Sequence, residues 1–149
     1  MSDLVVQKFN IELWDECVDL YMKTYSKEPW NETWDSRDVV VNFFRNHYEN
    51  NYFRGFSAIK DGQVVAVCLG FLKPWIKGME YYIDDFFVGA DYHRQGIGLK
   101  FMAGIKEQLL AANIHEIILN TQRGYPAQAF YENANFKVLE GLIVLAVDF

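Results

Sequence analysis

Only two of the 149 residues are cysteine and only three are proline. Cys17 and Cys68 show no Cys-x-x-Cys and no Cys/His ligand spacing, so neither a zinc site nor a disulfide framework is expected. Both read as small buried hydrophobes. Pro29, Pro74 and Pro126 fall where loops or a helix start are expected. Basic residues are also scarce: 14 Lys and Arg stand against 20 Asp and Glu, a formal charge of −6. A nucleic-acid partner would demand the opposite balance, because phosphates are neutralised by Lys and Arg. An acidic surface suits a cationic small molecule instead. No apolar run approaches the roughly 18 residues of a membrane span. The start, Met1-Ser2-Asp3-Leu4, lacks the basic-then-apolar pattern of a secretory leader. No membrane partner and a cytoplasmic location are the expectations. Repeats, low-complexity tracts and linkers are missing too, so residues 1–149 are expected to form a single domain. Apolar material is abundant: 51% of residues are hydrophobic and 17% aromatic, which is ample for a core without metal or staple.

Apolar residues recur at helical spacing from Ile11 through Leu13/Trp14, Cys17, Leu20/Tyr21 and Tyr25, which predicts a helix. The aperiodic segment 26–34 ends it. Ser36 is placed to cap a second helix with Val40, Phe43, Phe44 and His47 on one face. The period then changes. Residues 56–59 and 64–72 flank Asp61-Gly62 and predict a hairpin. Residues 81–88 read as a strand despite two aspartates. A helix over 98–112, a short strand over 116–119 and a short helix over 126–133 follow. Segments 136–139 and 142–147 predict two closing strands. With a weak first strand over 4–9, this is an α/β (α+β) chain: a mixed, mostly antiparallel sheet of about six to seven strands flanked by about four helices.

The most informative stretch is Val88-Gly89-Ala90-Asp91-Tyr92-His93-Arg94-Gln95-Gly96-Ile97-Gly98-Leu99-Lys100, set between a predicted strand and a predicted helix. Two glycines one residue apart let the backbone approach a ligand. The helix start adds unpaired amides and the positive end of its dipole, an anion site suited to a pyrophosphate. Taken alone, the glycines signify no more than a tight turn. A Rossmann fingerprint needs a small residue where Phe101 stands, and a P-loop needs a Gly-Lys-Ser/Thr that the chain lacks.

The runs Tyr82-Ile83-Asp84-Asp85-Phe86-Phe87-Val88 and Tyr92-His93-Arg94-Gln95-Gly96-Ile97-Gly98 resemble the GNAT superfamily of N-acetyltransferases, whose loop reads Gln/Arg-x-x-Gly-x-Gly/Ala after a strand ending in valine. A second block, Ala127-Gln128-Ala129-Phe130-Tyr131-Glu132-Asn133-Ala134-Asn135-Phe136, is similar to that family's A-x-x-(aromatic)-Tyr-x-x-x-Gly-Phe pattern. The order of elements agrees over nearly the whole chain. The aspartate-aromatic strand looks like that of polyamine acetyltransferases. The resemblance implies an acetyl-coenzyme A site built from Phe86, Phe87, Val88, His93, Arg94, Gln95, Gly96, Ile97, Gly98, Leu99, Lys100, Asn120 and Asn133, with no metal. There are departures. His93 stands where the family usually has Gln or Arg, which implies weaker coenzyme affinity. Gly124 or Tyr125 falls where many members place a coenzyme-contacting Asn. Asn135 replaces a glycine, a benign change because Asn tolerates a left-handed helix end.

Moving an acetyl group from a thioester to an amine has three needs. The amine must lose a proton, the tetrahedral oxyanion needs donors, and the departing thiolate benefits from a proton. For the first, the polyamine resemblance points to Asp84 and the commoner acid-x-x-Val pattern to Asp85; the former is preferred, acting through a water. A regular strand would let only one of the two face a given cleft. For the second, the family implies backbone amides near Phe87 and Val88. For the third, Tyr131 is the candidate acid, since a phenol stays protonated at neutral pH. His47 reads as a core histidine. Glu28, Trp30, Glu32, Trp34 and Asp35 form an acidic-aromatic loop where the family lines its acceptor side, with Glu28, Trp30 and Trp34 as substrate contacts. Indoles stack on cations, so the expected acceptor is a primary amine of a small cationic molecule. Transfer to a protein or peptide amine, and a non-catalytic acyl-coenzyme A sensor, are the alternatives. The apolar segment 142–147 can support a homodimer.

Overall fold

The hairpin predicted at Asp61-Gly62 is the spine of the molecule. Both residues have positive φ, 52° and 75°, the pair a tight type I′ turn requires. It joins β2 (Phe53–Lys60) to β3 (Gln63–Trp75). The computed structural model describes residues 3–149. The other elements are β1 (Val5–Lys8), α1 (Trp14–Tyr25), α2 (Arg37–Tyr48), β4 (Gly78–Val88), α3 (Ile97–Ala111), β5 (Ile117–Leu119) and α4 (Pro126–Asn133). The five strands form one sheet in the order β1-β2-β3-β4-β5. All neighbours are antiparallel except β4 and β5, which run parallel because α3 crosses between them.

The sheet is covered on both faces. One face packs Phe56, Ala58, Tyr81 and Ile83 against Phe101, Met102, Ile105 and Leu109 of α3. The other packs Val64, Val67, Leu69 and Phe87 against Cys17, Val18 and Tyr21 of α1 and Val40 and Phe44 of α2. Burial on this scale stabilises by about 1.5–3 kcal/mol per large apolar side chain. Both cysteines lie in these cores, and burial pushes each thiol up to about 12. Arg37 ties α2 to α1 by reaching Asp15 and Asp19 at 3.2 and 3.1 Å. Ser36 occupies the N-cap position of α2 but makes no side-chain capping bond. Asn135 ends α4 at φ 72°, the left-handed conformation expected of it. Among the described residues, no helix is long and apolar enough to cross a membrane.

The sheet has five strands where six to seven were expected. The two strands predicted over 136–139 and 142–147 do not form; the chain beyond α4 carries no regular secondary structure. The composition of 142–147 is that of a strand, but a strand needs a ladder partner for its backbone groups. Among the described residues the segment has none.

Candidate active site

One irregularity in β4 organises the site. Leu69 of β3 pairs with Asp85 and Gly70 with Ile83, so Asp84 is an extra residue with no partner: a β-bulge. Its effect appears on both faces. Tyr81 and Ile83 pack on the α3 side, as do Phe86 and, more loosely, Val88, whereas Phe87 packs on the α1–α2 side. Odd residues before the bulge and even residues after it therefore share a face. The strand edges switch in the same way. Tyr81 N–H donates to Glu116 of the β5 side, while Gly89 N–H donates to Val65 on β3. In an unbroken strand residues eight apart would point to the same edge.

The bulge corrects the expectation that only one aspartate could face a given cleft. Both reach the α1–α2 side. Asp85 Oδ1 accepts a 2.6 Å hydrogen bond from Tyr25 at the end of α1. Asp84 Oδ2 lies 2.6 Å from His47 Nε2 on α2. His47 Nδ1 lies 2.8 Å from the Phe43 carbonyl, which can only accept, so that nitrogen carries a proton. A proton must then also lie between Nε2 and Asp84. Burial opposes the charged imidazole, but the bonds to Asp84 and Phe43 outweigh it and raise the His47 pKa. The ring also stacks on Phe71, 5.4 Å between centroids. Among the described residues no cationic side chain forms an ion pair with Asp85. Burial first, and then the charges of Asp84 and Glu32, push its carboxyl from 3.8 to about 7, against the opposing pull of Tyr25 and His47.

On the other side of β4, the ladder with β5 stops at the pair Ile83–Leu119. From Asp84 to Val88 the outer edge of β4 has no strand partner among the described residues. Alternation directs the Phe86 and Val88 amides to that edge and the Phe87 amide to β3. Val88 and not Phe87 thus directs its amide to the open edge beside the turn. His93 Nε2 lies 2.8 Å from the Val88 carbonyl on the same edge.

A cavity of about 340 Å³ joins this edge to the turn. Tyr25, Trp30, Phe86, Val88, Arg94, Gly96, Gly98, Phe130 and Tyr131 are in its wall. Gly96 sits at φ 74° immediately before α3, with no side-chain cap, so the first amides of α3 have no partner within the helix. Gly98, in the cavity wall, also makes room for a neighbouring ring. A Cβ there would lie 2.8 Å from Phe130 Cε1, so its glycine admits the α4 ring. Tyr131 is 8% exposed and packs on Phe86, Phe130 and Phe136; burial raises its pKa, keeping the phenol protonated.

The remaining predicted residues fall in four groups. Phe87, His93, Ile97 and Leu99 join the same wall. Gln95, Lys100, Glu28 and Asn133 are exposed and lie outside it. Asn120, just past β5, donates to the Tyr82 hydroxyl at 3.1 Å. Trp30 packs edge-on against Tyr25, whereas Trp34 packs against Tyr21 and plugs the core. Sequence reasoning missed Tyr25 and His47 as partners of the aspartates. Their helical spacing placed them only on buried faces.

The model of the acetyltransferase (GNAT) family matches residues 14–136, from α1 through α4. The chain belongs to the GNAT acetyltransferase family. As a GNAT member it is an acetyl-coenzyme A-dependent N-acetyltransferase. No curated protein matches the sequence. Among solved structures it is similar to an integron cassette protein from the mobile metagenome of V. cholerae, with a TM-score of 0.80, 14% identity, and 98% of this chain and 93% of that chain covered. It is also similar to the aminoglycoside N-acetyltransferase AAC(6')-Iy in complex with CoA, at TM-score 0.74 and 13% identity over 99% and 96% of the two chains. A third is AAC(6')-Ih from Acinetobacter baumannii, at TM-score 0.72 and 14% identity over 99% of each chain. At such identities the likeness is one of fold.

The GNAT donor fits what this chain presents. The cap-free start of α3 after Gly96 is suited to a diphosphate. Thr24 Oγ1 is buried with no hydrogen-bond partner among the described residues, and its residue lines the cavity.

Proposed function

We propose that this enzyme acetylates a primary amine of a small, cationic molecule by direct attack on the thioester, through a tetrahedral intermediate. The observation that carries the reading is the bulge at Asp84. It gathers two carboxylates on one face while opening the neighbouring β4 edge toward the cavity. Carboxylates at Asp84, Asp85 and nearby Glu32 attract a cation and hold it by charge. The names of the aminoglycoside-modifying neighbours, one of them in complex with sisomicin, favour an amino sugar within this class.

In the proposed reaction Asp85 takes the proton, directly or through a water. A base with a pKa near 7 combines availability at neutral pH with driving force. Asp84 is committed to His47 and acts through charge, which reverses the preference drawn from the sequence. The Val88 amide faces the developing oxyanion. Tyr131, buried and protonated, gives its proton to the departing sulfur. The α3 start, Arg94 and Thr24 hold the donor, which supplies the activated acyl group. The exposed apolar surface of 142–149 supports a working unit of two chains.

The test is release of free thiol from acetyl-coenzyme A against aminoglycosides, polyamines, amino-acid amines and peptide N-termini. Turnover on polycationic small amines is expected. Preference for peptides would replace the small-molecule reading, and donor binding with no turnover on any amine would replace catalysis with sensing.

A further inference from the structure

Tyr25 belongs to both flanks of β4, yet the proposed reaction gives it no part. It is the last residue of α1. Its hydroxyl donates to Asp85 Oδ1 at 2.6 Å. The same residue stands in the wall of the cavity beside the turn, with Trp30 and Phe86.

The phenol is held from several sides. Its ring centroid lies 5.0 Å from that of Trp30, 5.5 Å from Phe87 and 4.6 Å from Tyr21. The backbone is held as well: Glu32 N–H donates to the Tyr25 carbonyl at 2.8 Å. A phenol fixed in this way has its hydroxyl aimed before any ligand arrives, and the bond to Asp85 costs little further ordering.

A carboxylate has two oxygens, and a loosely held side chain presents either one. Here Oδ1 is occupied by Tyr25, and Asp85 makes no other side-chain hydrogen bond among the described residues. Oδ2 is the oxygen left to take a proton. Titratable groups face Asp85 from each element packed on it. Tyr21 and Tyr25 come from α1, Glu32 from the loop after it and His47 from α2. Cys68 of β3, the adjacent Asp84 and Tyr131 of α4 complete the surround. Burial drives the Asp85 carboxyl up to about 7, and the hydrogen bond from Tyr25 is the strongest pull the other way, ahead of the His47 charge.

We propose that Tyr25 is a positioning residue for the base: its hydroxyl pins Asp85 Oδ1, so that Oδ2 takes the proton from the attacking amine, directly or through a water. The amine N–H bond breaks as a proton is gained at Oδ2, and the nitrogen lone pair closes on the thioester carbon. Tyr25 keeps its own proton, because burial, and then the Asp85 charge, hold the phenol above its ordinary value.

This inference rests on Asp85 as the base, and its test separates the two. Protein labelled with a heavy carbon isotope at its Asp carboxyls is titrated by NMR, with Asp85→Asn identifying the Asp85 signal. The parent signal should titrate near pH 7. Tyr25→Phe keeps the ring and removes the bond, so the midpoint should rise by about one pH unit. Fluorotyrosine at the same position, a stronger donor of nearly the same shape, should lower it. The base must be ionised to act, so the acidic limb of the kcat/KM profile should move to higher pH in Tyr25→Phe, measured on the amine that turns over fastest in the panel above. On the plateau kcat should fall about tenfold, with coenzyme A affinity unchanged by calorimetry. Activity lost equally at every pH, with the midpoint in place in both variants, reduces Tyr25 to packing. A loss of coenzyme A affinity matching the loss in kcat makes it a donor contact instead. A limb that survives Asp85→Asn puts the base elsewhere and overturns both readings. A limb abolished by Asp85→Asn but unmoved by Tyr25→Phe overturns this one alone.

Discussion

In the proposed reaction the chemistry on the α1–α2 flank of β4 is carried by side chains whose protons matter: Asp85 with Tyr25, and Asp84 with His47. On the α3–α4 flank it is carried by main-chain amides and packed rings: the bare start of α3, the open β4 edge, and Phe86 between Phe101 and Phe130. A side-chain site fails when one functional group is lost. A backbone site spreads its binding over many amides that no substitution deletes. The acceptor flank should therefore be brittle and pH-sensitive, and the donor flank tolerant.

The largest expected effect tests the brittle flank. Asp85→Asn should lower turnover on the order of 10²–10³-fold and remove the acidic limb of the kcat/KM profile near pH 7. It should also stabilise the protein. The Asp85 pKa is raised from 3.8 to about 7 in the folded chain. The neutral form is therefore favoured: stability is full below pH 4 and falls as pH rises toward 7. Denaturant titrations should show the variant drawing ahead over that window, by about 1–3 kcal/mol once partial exposure is allowed for. A variant no more stable at pH 8 than at pH 4, relative to the parent, would mean Asp85 titrates normally.

Tyr131→Phe comes next, with turnover down about tenfold and coenzyme affinity unchanged by calorimetry. Equal losses in both would make Tyr131 a binding group. His47→Gln should cost a few-fold in kcat/KM. The raised His47 pKa means that its contribution to stability is present at low pH and fades as pH climbs through that raised value. The stability gap between parent and variant should close in that direction; a constant gap would reduce His47 to packing. Arg94→Ala should have the smallest effect, about two- to five-fold in coenzyme affinity and weaker still in high salt. A loss of 100-fold would show that the donor flank too depends on one side chain.

The turn after Val88 and the helix over 126–133 were legible because their signals are local: glycines before a helical period, and Pro126 at a helix start. The bulge was not. Tyr81-Tyr82-Ile83-Asp84-Asp85-Phe86-Phe87-Val88 is apolar on both parities outside the aspartates, so a shift in alternation leaves no trace. Nor does any local pattern announce that His47 will meet Asp84 across 37 positions. The closing strands were misjudged for a third reason. The composition of 142–147 specifies a strand, and pairing decides whether one forms.

The extra residue in β4 also sets which lesions the gene can absorb there. Losing the codon for Asp84 would leave an uninterrupted ladder with Asp85, Phe86 and Phe87 still on their present sides. Losing both acidic codons would turn every later position over, pushing Phe86 toward α1 and Phe87 into the α3 core. By this count a one-codon deletion is milder than a two-codon one, and the strand reads its length modulo two.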